Sequence, residues 1–425
     1  MEPERATARA LARAAPPDAA PAVFAFGKAA HGMVRAAVAW LDAHGLALAG
    51  GLVVAHHAAD GEPLPLESLV ADHPVPGARS LAAADRLGAV IRSLPARAPA
   101  LVFLSGGSSS LLAAPLEGIS PDDLTSAFDV FHDLGLPIHT MNALRRQLTR
   151  WSGGRLAAAL GARDMRAWVI SDVVDNDLGV IGSGPLVGGP IDADTLVRVL
   201  TRPDLVERIP GAVLTALAAG APPDVREIPH HLVADRTMAG EAAVRSAQAE
   251  GVKAMLHDSA ITGDVHDAAT RLAEWIAHHV THHSLPDRST GVLVEPVPRE
   301  PRLHVWTGET TVRLPPDHGT GGRAQQLALL VARELEAMAR RGIRTHTIQV
   351  LVAGTDGRDG PTDAAGAIVD RETVARIVAA GIDVDHAIAR CDAHAALDAA
   401  GALLRTGATG TNVADVVMVL GRNWY

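Results

Sequence analysis

Residues 101–115 read LVFLSGGSSSLLAAP: an apolar run enters Ser105, Gly106 and Gly107 follow, and Ser108, Ser109 and Ser110 lead back into apolar sequence. An uninterrupted apolar run of this kind is a strand buried on both faces, as parallel sheets require. The two glycines permit a tight turn, and the serines open an apolar helix. Backbone N–H groups and the helix dipole would then converge on one point, a site suited to phosphate or carboxylate. An ordinary turn of this type needs one capping serine; two glycines and four serines exceed that need.

The same strand–loop–helix unit recurs on either side. AVFAF (22–26) precedes Gly27 and a helical stretch over 28–43, GGLVVAHH (50–57) precedes a helical stretch over 80–94, and AWVISDV (167–173) ends in another polar loop. Further on, HHLVAD (230–235), VKAMLH (252–257), RLHVWTG (302–308) and IQVLVAG (348–354) read as strands, while 239–250, 264–281 and 323–340 read as helices. Alternating strands and helices predict an α/β protein with largely parallel or mixed sheets and right-handed crossovers. Pro-rich sequence at 218–231 places a domain break near 226; a second Pro-rich stretch, 282–302, reads as a loop or hairpin. The expected domains are 1–226 and 227–405, with the tail 406–425 packing back onto the first.

The chain has 425 residues, 48% hydrophobic and 20% charged, enough for two domains with substantial cores. A formal net charge of −10 with 3% aromatic residues excludes a nucleic-acid binder, which needs a basic footprint. One cysteine, Cys391, excludes an internal disulfide or a cysteine metal cluster. No apolar run reaches the roughly 18 residues that span a bilayer, and the start MEPERATARALARA lacks a secretory apolar core. A cytoplasmic protein without a membrane partner is expected. Paired histidines at 56–57, 230–231, 278–279 and 282–283 show no zinc-ligand spacing.

Of 38 basic residues only two are lysine, Lys28 and Lys253. Lys28 follows a strand and Gly27, where α/β folds place ligands, although no Walker A spacing surrounds it. Asp172 ends another strand, with Asp175 and Asp177 in the same loop; carboxylates so grouped suit Mg²⁺ shared with a phosphate. Arg323 lies in the first turn of a helix, where a cation opposes the dipole, so an anion is expected beside it. After the strand 348–354, three glycines alternate with Asp356, Asp359 and Asp363, a density no surface turn needs.

The segments FGKAAHGM, DHPVPGARSLAAA, SGGSSSLL, MNALRRQLT, SDVVDNDLGVIGSGP, TGETTV, GGRAQQLALL, GTDGRDGPTDAAGA and TGATGTNVAD, in this order from about 22 to 420, resemble the class II glycerate kinases, whose C-terminal part is the MOFRL domain. The resemblance implies a larger Rossmann-like N-terminal domain, a smaller MOFRL-type C-terminal domain and an active site in the cleft between them. It implies transfer of the ATP γ-phosphoryl group to the 2-hydroxyl of D-glycerate, or a closely related hydroxy acid, with a divalent cation. Lys28 and Arg323 fall on the family's catalytic cations. Asp172 and Asp356 would hold Mg²⁺, and Asn142 and Arg145 the acceptor carboxylate. Gly27, Ser105, Gly106, Gly107, Ser108, Ser109, Gly322, Thr355 and Asp359 would contact phosphate, nucleotide or substrate. The expected partners are the small-molecule substrates, with a homodimer as the assembly considered.

The chain departs from the family pattern inside the motifs, at Gln147, Thr149, Ser152, Asp175, Asn176, Leu186, Ala324 and Gln326. Two alternatives accompany the kinase reading. One is an NAD(P)H-dependent hydroxypyruvate reductase, which lacks its G-x-G-x-x-G fingerprint here. The other is a weakened relative that binds small molecules without turnover.

Overall fold

The structure, a computed structural model, describes residues 2–421 apart from 74, 135, 137, 190–196, 198, 199, 220–222 and 283–301. The loop or hairpin expected over 282–302 lies, but for its end residues, outside them. The chain divides into two compact units, Met1–Ala234 and Asp235–Tyr425.

The first unit is built on six strands, β1 (Ala22–Phe26), β2 (Gly50–Ala55), β3 (Ser68–Val70), β4 (Ala100–Leu104), β5 (Met165–Ile170) and β6 (His230–Ala234). Their order is β3-β2-β1-β4-β5-β6, and every pairing is parallel. All residues of β1 and β4 are buried, as the unbroken apolar runs require. Phe24, Phe26, Leu52, Val54, Val102 and Leu104 form part of one core layer; on the other face Phe103 stacks on Trp168 at 5.2 Å. The helix Pro3–Leu11 closes on the helix Ala30–Ala43 at Gly32, where a Cβ would stand 3.2 Å from Pro3 Cβ.

This strand order reverses direction between β1 and β4, the place where open α/β sheets bind ligands beyond the carboxyl ends of their strands. Phe26 is in register with Leu104, so the turns that begin at Gly27 and Ser105 emerge side by side.

The second unit holds β7 (Lys253–Leu256), β8 (Ile261–Asp264), β9 (Arg302–Thr311), β10 (Ile348–Gly354), β11 (Gly366–Asp370), β12 (Leu403–Leu404) and β13 (Asp415–Gly421). The order is β12-β11-β10-β13-β9-β7, with β8 also on β9. β7 and β8 run parallel to β9, and the other pairings are antiparallel. The helices Val265–His282 and Arg323–Arg340 share one core with the sheet. Among the described residues no helix is long and apolar enough to cross a membrane.

Three expectations are corrected. The break falls after Ala234 rather than near 226, because β6 pairs with β5 and completes the first sheet instead of opening the second domain. The tail's strand belongs to the second unit: β13 is an inner strand of the second sheet, paired with both β9 and β10. Burial along β13 alternates, the mark of an antiparallel strand covered on one face. The apolar helix expected after Gly107 is a single turn, Ser108–Leu111.

Candidate active site

In the first unit the turns after β1 and β4 interlock. Lys28 N donates to the Gly106 carbonyl at 3.0 Å, and Ser105 N donates to the Phe26 carbonyl at 3.0 Å. The Ser105 hydroxyl accepts from Ala29 N at 3.0 Å and donates to the Phe26 carbonyl at 3.3 Å. Gly27 has φ +120°, and a Cβ there would collide with Ser105. No side chain fits, so glycine is required where the two turns meet.

Gly106 and Gly107 are the floor on which the candidate side chains converge. A Cβ on Gly106 would strike the Asp172 carboxylate at the end of β5. A Cβ on Gly107 would stand 3.0 Å from the His73 ring and 3.6 Å from Lys28 Cγ. Gly27, Lys28, Ser105, Gly106, Gly107 and Asp172 are therefore brought together as the sequence suggested. The helix-dipole part of the anion argument loses force, because one helical turn carries little macrodipole; backbone amides, serine hydroxyls and the lysine remain.

Ser108 and Ser109 line a pocket with Phe26, Leu104, Leu112, Trp151, Ser152, Gly182 and Pro185. Ser109 and Ser183 share a hydroxyl hydrogen bond of 2.9 Å. The Ser108 hydroxyl is buried without a partner among the described residues. The helix Ile138–Leu148 packs against Ile181–Ser183 and carries Asn142 and Arg145. Arg145 donates to Asn142 Oδ1 at 3.2 Å and lies over the Phe128 ring at 5.1 Å. Among the described residues no carboxylate pairs with it, and burial lowers its pKa from the usual guanidinium value.

Sequence reasoning missed the histidines beside Lys28. His31, His57, His56 and His73 form a continuous run of ring contacts, 5.3, 4.5 and 5.7 Å between successive centroids. The His56 pKa is pushed down to about 4 by burial, then by His57, His73, Lys28 and His31. The signal lay in the His56–His57 pair at the end of β2 and in the DHP stretch after β3.

In the second unit Arg323 opens its helix as expected. Its Nε and Nη2 donate to Asp415 at 2.7 and 3.2 Å, and Nη1 meets Glu309 at 2.6 Å. Burial opposes the guanidinium charge, but the Asp415 hydrogen bonds and the charges of Asp415, Glu309 and Asp359 outweigh it and hold the pKa above the ordinary value. The anion expected beside Arg323 is therefore supplied by the chain itself. Asp359 caps the same helix, accepting from Ala324 N at 3.1 Å and Gln325 N at 2.8 Å. Burial, with Asp415 adding, raises its pKa to about 6 against the pull of those two amides and Arg323. A Cβ on Gly322 would collide with Asp359. Thr355 is committed to structure: its hydroxyl donates to the Ala414 carbonyl at 2.6 Å and accepts from Val413 N at 2.9 Å. Asp356 stands near Gly354, whose Cβ would lie 3.2 Å from Asp356 Oδ1 and 3.5 Å from Asp415 Oδ1.

Among the described residues no group of three or more His, Cys, Asp or Glu has the geometry of a metal site. A single carboxylate such as Asp172 or Asp356 fits Mg²⁺ only where substrate phosphate and water complete the octahedron. Of the motif departures, Ala324, Gln326 and Leu186 are core residues, and Gln326 donates to the Ile388 carbonyl at 2.9 Å. Thr149 donates to Ser152 at 2.7 Å. Gln147 is 1% exposed, and neither end of its amide finds a partner among the described residues. Asn176 adopts a left-handed φ of 58°.

Residues 1–218 match a domain of unknown function, DUF4147, and residues 302–415 match the MOFRL family. The chain is 32% identical to the glycerate 2-kinase of Pyrococcus horikoshii, across 94% of this chain and 86% of that protein. It is 33% identical to a putative hydroxypyruvate reductase of Agrobacterium vitis, across 94% and 98%. The solved structure of a glycerate kinase from Thermotoga maritima superposes with a TM-score of 0.80 at 30% identity, covering 99% of this chain and 95% of that one.

Proposed function

The chain belongs to the glycerate 2-kinase family with a C-terminal MOFRL domain, and from that premise we propose that it transfers the γ-phosphoryl group of ATP, with Mg²⁺, to the 2-hydroxyl of D-glycerate. The observation that carries the reading is the placement of Lys28, one of only two lysines, at the β1–β4 switch point beside a Gly106–Gly107 floor that Asp172 and His73 also reach.

Phosphoryl transfer asks a protein for positioning and charge neutralisation more than for covalent chemistry. Lys28 is a compact point charge suited to phosphate oxygens, and Arg323 is the second cation assigned to the transferring group. Asp415 and Glu309 fix the orientation of Arg323. The backbone amides of Gly106–Ser109 and the Ser108 hydroxyl are assigned to a bound anion, with Ser105 tying the two turns together beneath it, and Arg145, oriented by Asn142, to the acceptor carboxylate. Asp172 and Asp356 are the carboxylates that would hold Mg²⁺, which when bound with ATP neutralises phosphate charge. Gly27, Gly322 and Asp359 shape the two loops; Thr355 ties its own loop to Ala414 rather than standing free for a ligand.

The reductase alternative lacks support at the same place. The turn after β1 offers Gly27 and then Lys28, without the further glycines a dinucleotide pyrophosphate needs. Purified protein supplied with ATP, Mg²⁺ and D-glycerate tests the reading: 2-phosphoglycerate and ADP should form together. NADH oxidation with hydroxypyruvate and no phosphorylated product would favour the reductase.

A further inference from the structure

Resting on the kinase reading, we propose that His73 is a catalytic residue: its Nε2 takes the proton of the acceptor hydroxyl as phosphoryl transfer proceeds. Three observations converge on this ring. The Nε2 and Cδ2 edge of His73 faces the Gly107 floor, 3.0 Å from where a Cβ would lie. Lys28 Cγ lies 3.6 Å from that same point. The imidazole edge and the assigned phosphate-binding lysine thus flank one glycine at the sheet's switch point. His56 packs behind His73, with ring centroids 5.7 Å apart.

The charged and titratable groups around the ring come from four elements. Lys28 follows β1, His56 and His57 follow β2, Asp72 precedes His73 after β3, and Asp172 ends β5 against Gly106. Asp72 is engaged elsewhere, accepting from Arg79 Nε at 2.7 Å and from Arg79 N at 2.9 Å. In the step, the acceptor oxygen bonds to the γ-phosphorus while its O–H bond breaks toward His73 Nε2. The bond from the γ-phosphorus to the bridging oxygen breaks, and ADP leaves with that electron pair. The imidazolium then returns its proton to solvent.

The test compares wild type, His73→Ala and His73→Gln in D-glycerate phosphorylation, with nucleotide affinity and thermal unfolding as controls. The expected result is a kcat lower by about 100-fold or more in both variants, with KM for glycerate unchanged. Added imidazole should restore part of the His73→Ala rate. A kcat equal to wild type overturns the assignment, and so does a loss in His73→Gln and His73→Ala alike that imidazole leaves untouched. A wild-type chain that phosphorylates no hydroxy acid overturns the kinase reading itself and the assignment with it, a failure distinct from an active wild type with unimpaired variants.

Discussion

The Asp415 carboxylate grips the Arg323 guanidinium at two points, 2.7 Å to Nε and 3.2 Å to Nη2, across 92 residues of chain. Asp415 is 7% exposed at the start of β13, and Glu309 of β9 holds the third nitrogen at 2.6 Å. The pair offsets the cost of a cation in the first turn of a helix.

Asp415→Asn should therefore weaken both the fold and the catalysis assigned to Arg323. Removing one partner of a largely buried pair leaves the other charge undercompensated; Glu309 remains, so the expected loss is about 1–3 kcal/mol in urea unfolding. If Arg323 needs this orientation, kcat falls more than KM rises. Unchanged stability and turnover would separate Arg323 from Asp415.

Asp359 sets a pH dependence of stability. Its pKa in the folded chain is about 6, raised chiefly by burial, against about 3.9 for an unfolded aspartate. The folded chain binds this proton more tightly, so the stabilisation is present below the unfolded value and is lost as pH rises through about 6. Asp415 shifts in the same direction, also through burial. Asp359→Asn should flatten the fall in unfolding temperature between about pH 4 and pH 6. An identical slope in the variant would contradict this.

Gly106→Ala and Gly107→Ala probe the floor of the site. The first drives a methyl into Asp172, and the second into the His73 ring at a φ of 89°. Gly107→Ala should cost about 1–2 kcal/mol from the left-handed backbone alone. Gly106→Ala should act mainly on turnover, because the group displaced is a proposed site carboxylate. Steady-state kinetics beside thermal unfolding separates the two effects.

Gln147 buries an amide with no partner at either end among the described residues. Leucine there removes an unsatisfied polar group at nearly constant volume, so Gln147→Leu should stabilise the chain by about 1–2 kcal/mol. A loss of stability in urea unfolding would show that the amide is satisfied in solution.

The sequence made the first sheet legible because AVFAF and ALVFL are unbroken apolar runs, and in a parallel sheet local pattern and burial coincide. Lys28, Asp172 and the serine loop were legible for the same reason: each sits where a strand ends. What stayed hidden was nonlocal. The tail 406–425 reads as packing onto the first domain, since the partners of β13, β9 and β10, are remote in sequence. Arg323 was read as awaiting a ligand anion, yet its counterions were Asp415 and Glu309. The helix after Gly107 was overestimated because Leu111–Ala114 continues an apolar pattern that the fold ends after one turn. His73 was passed over because the DHP stretch that carries it does not by itself show the approach to Gly107 and Lys28, which only the fold brings about.

The most direct measurement is the D-glycerate-dependent release of ADP by wild type and by Lys28→Met at saturating ATP and Mg²⁺. The expected result is an active wild type that yields 2-phosphoglycerate and a variant that folds, melts like wild type and turns over slower by about 100-fold or more, the loss of a charge that acts on the transferring group. A Lys28→Met enzyme with wild-type kcat would contradict it.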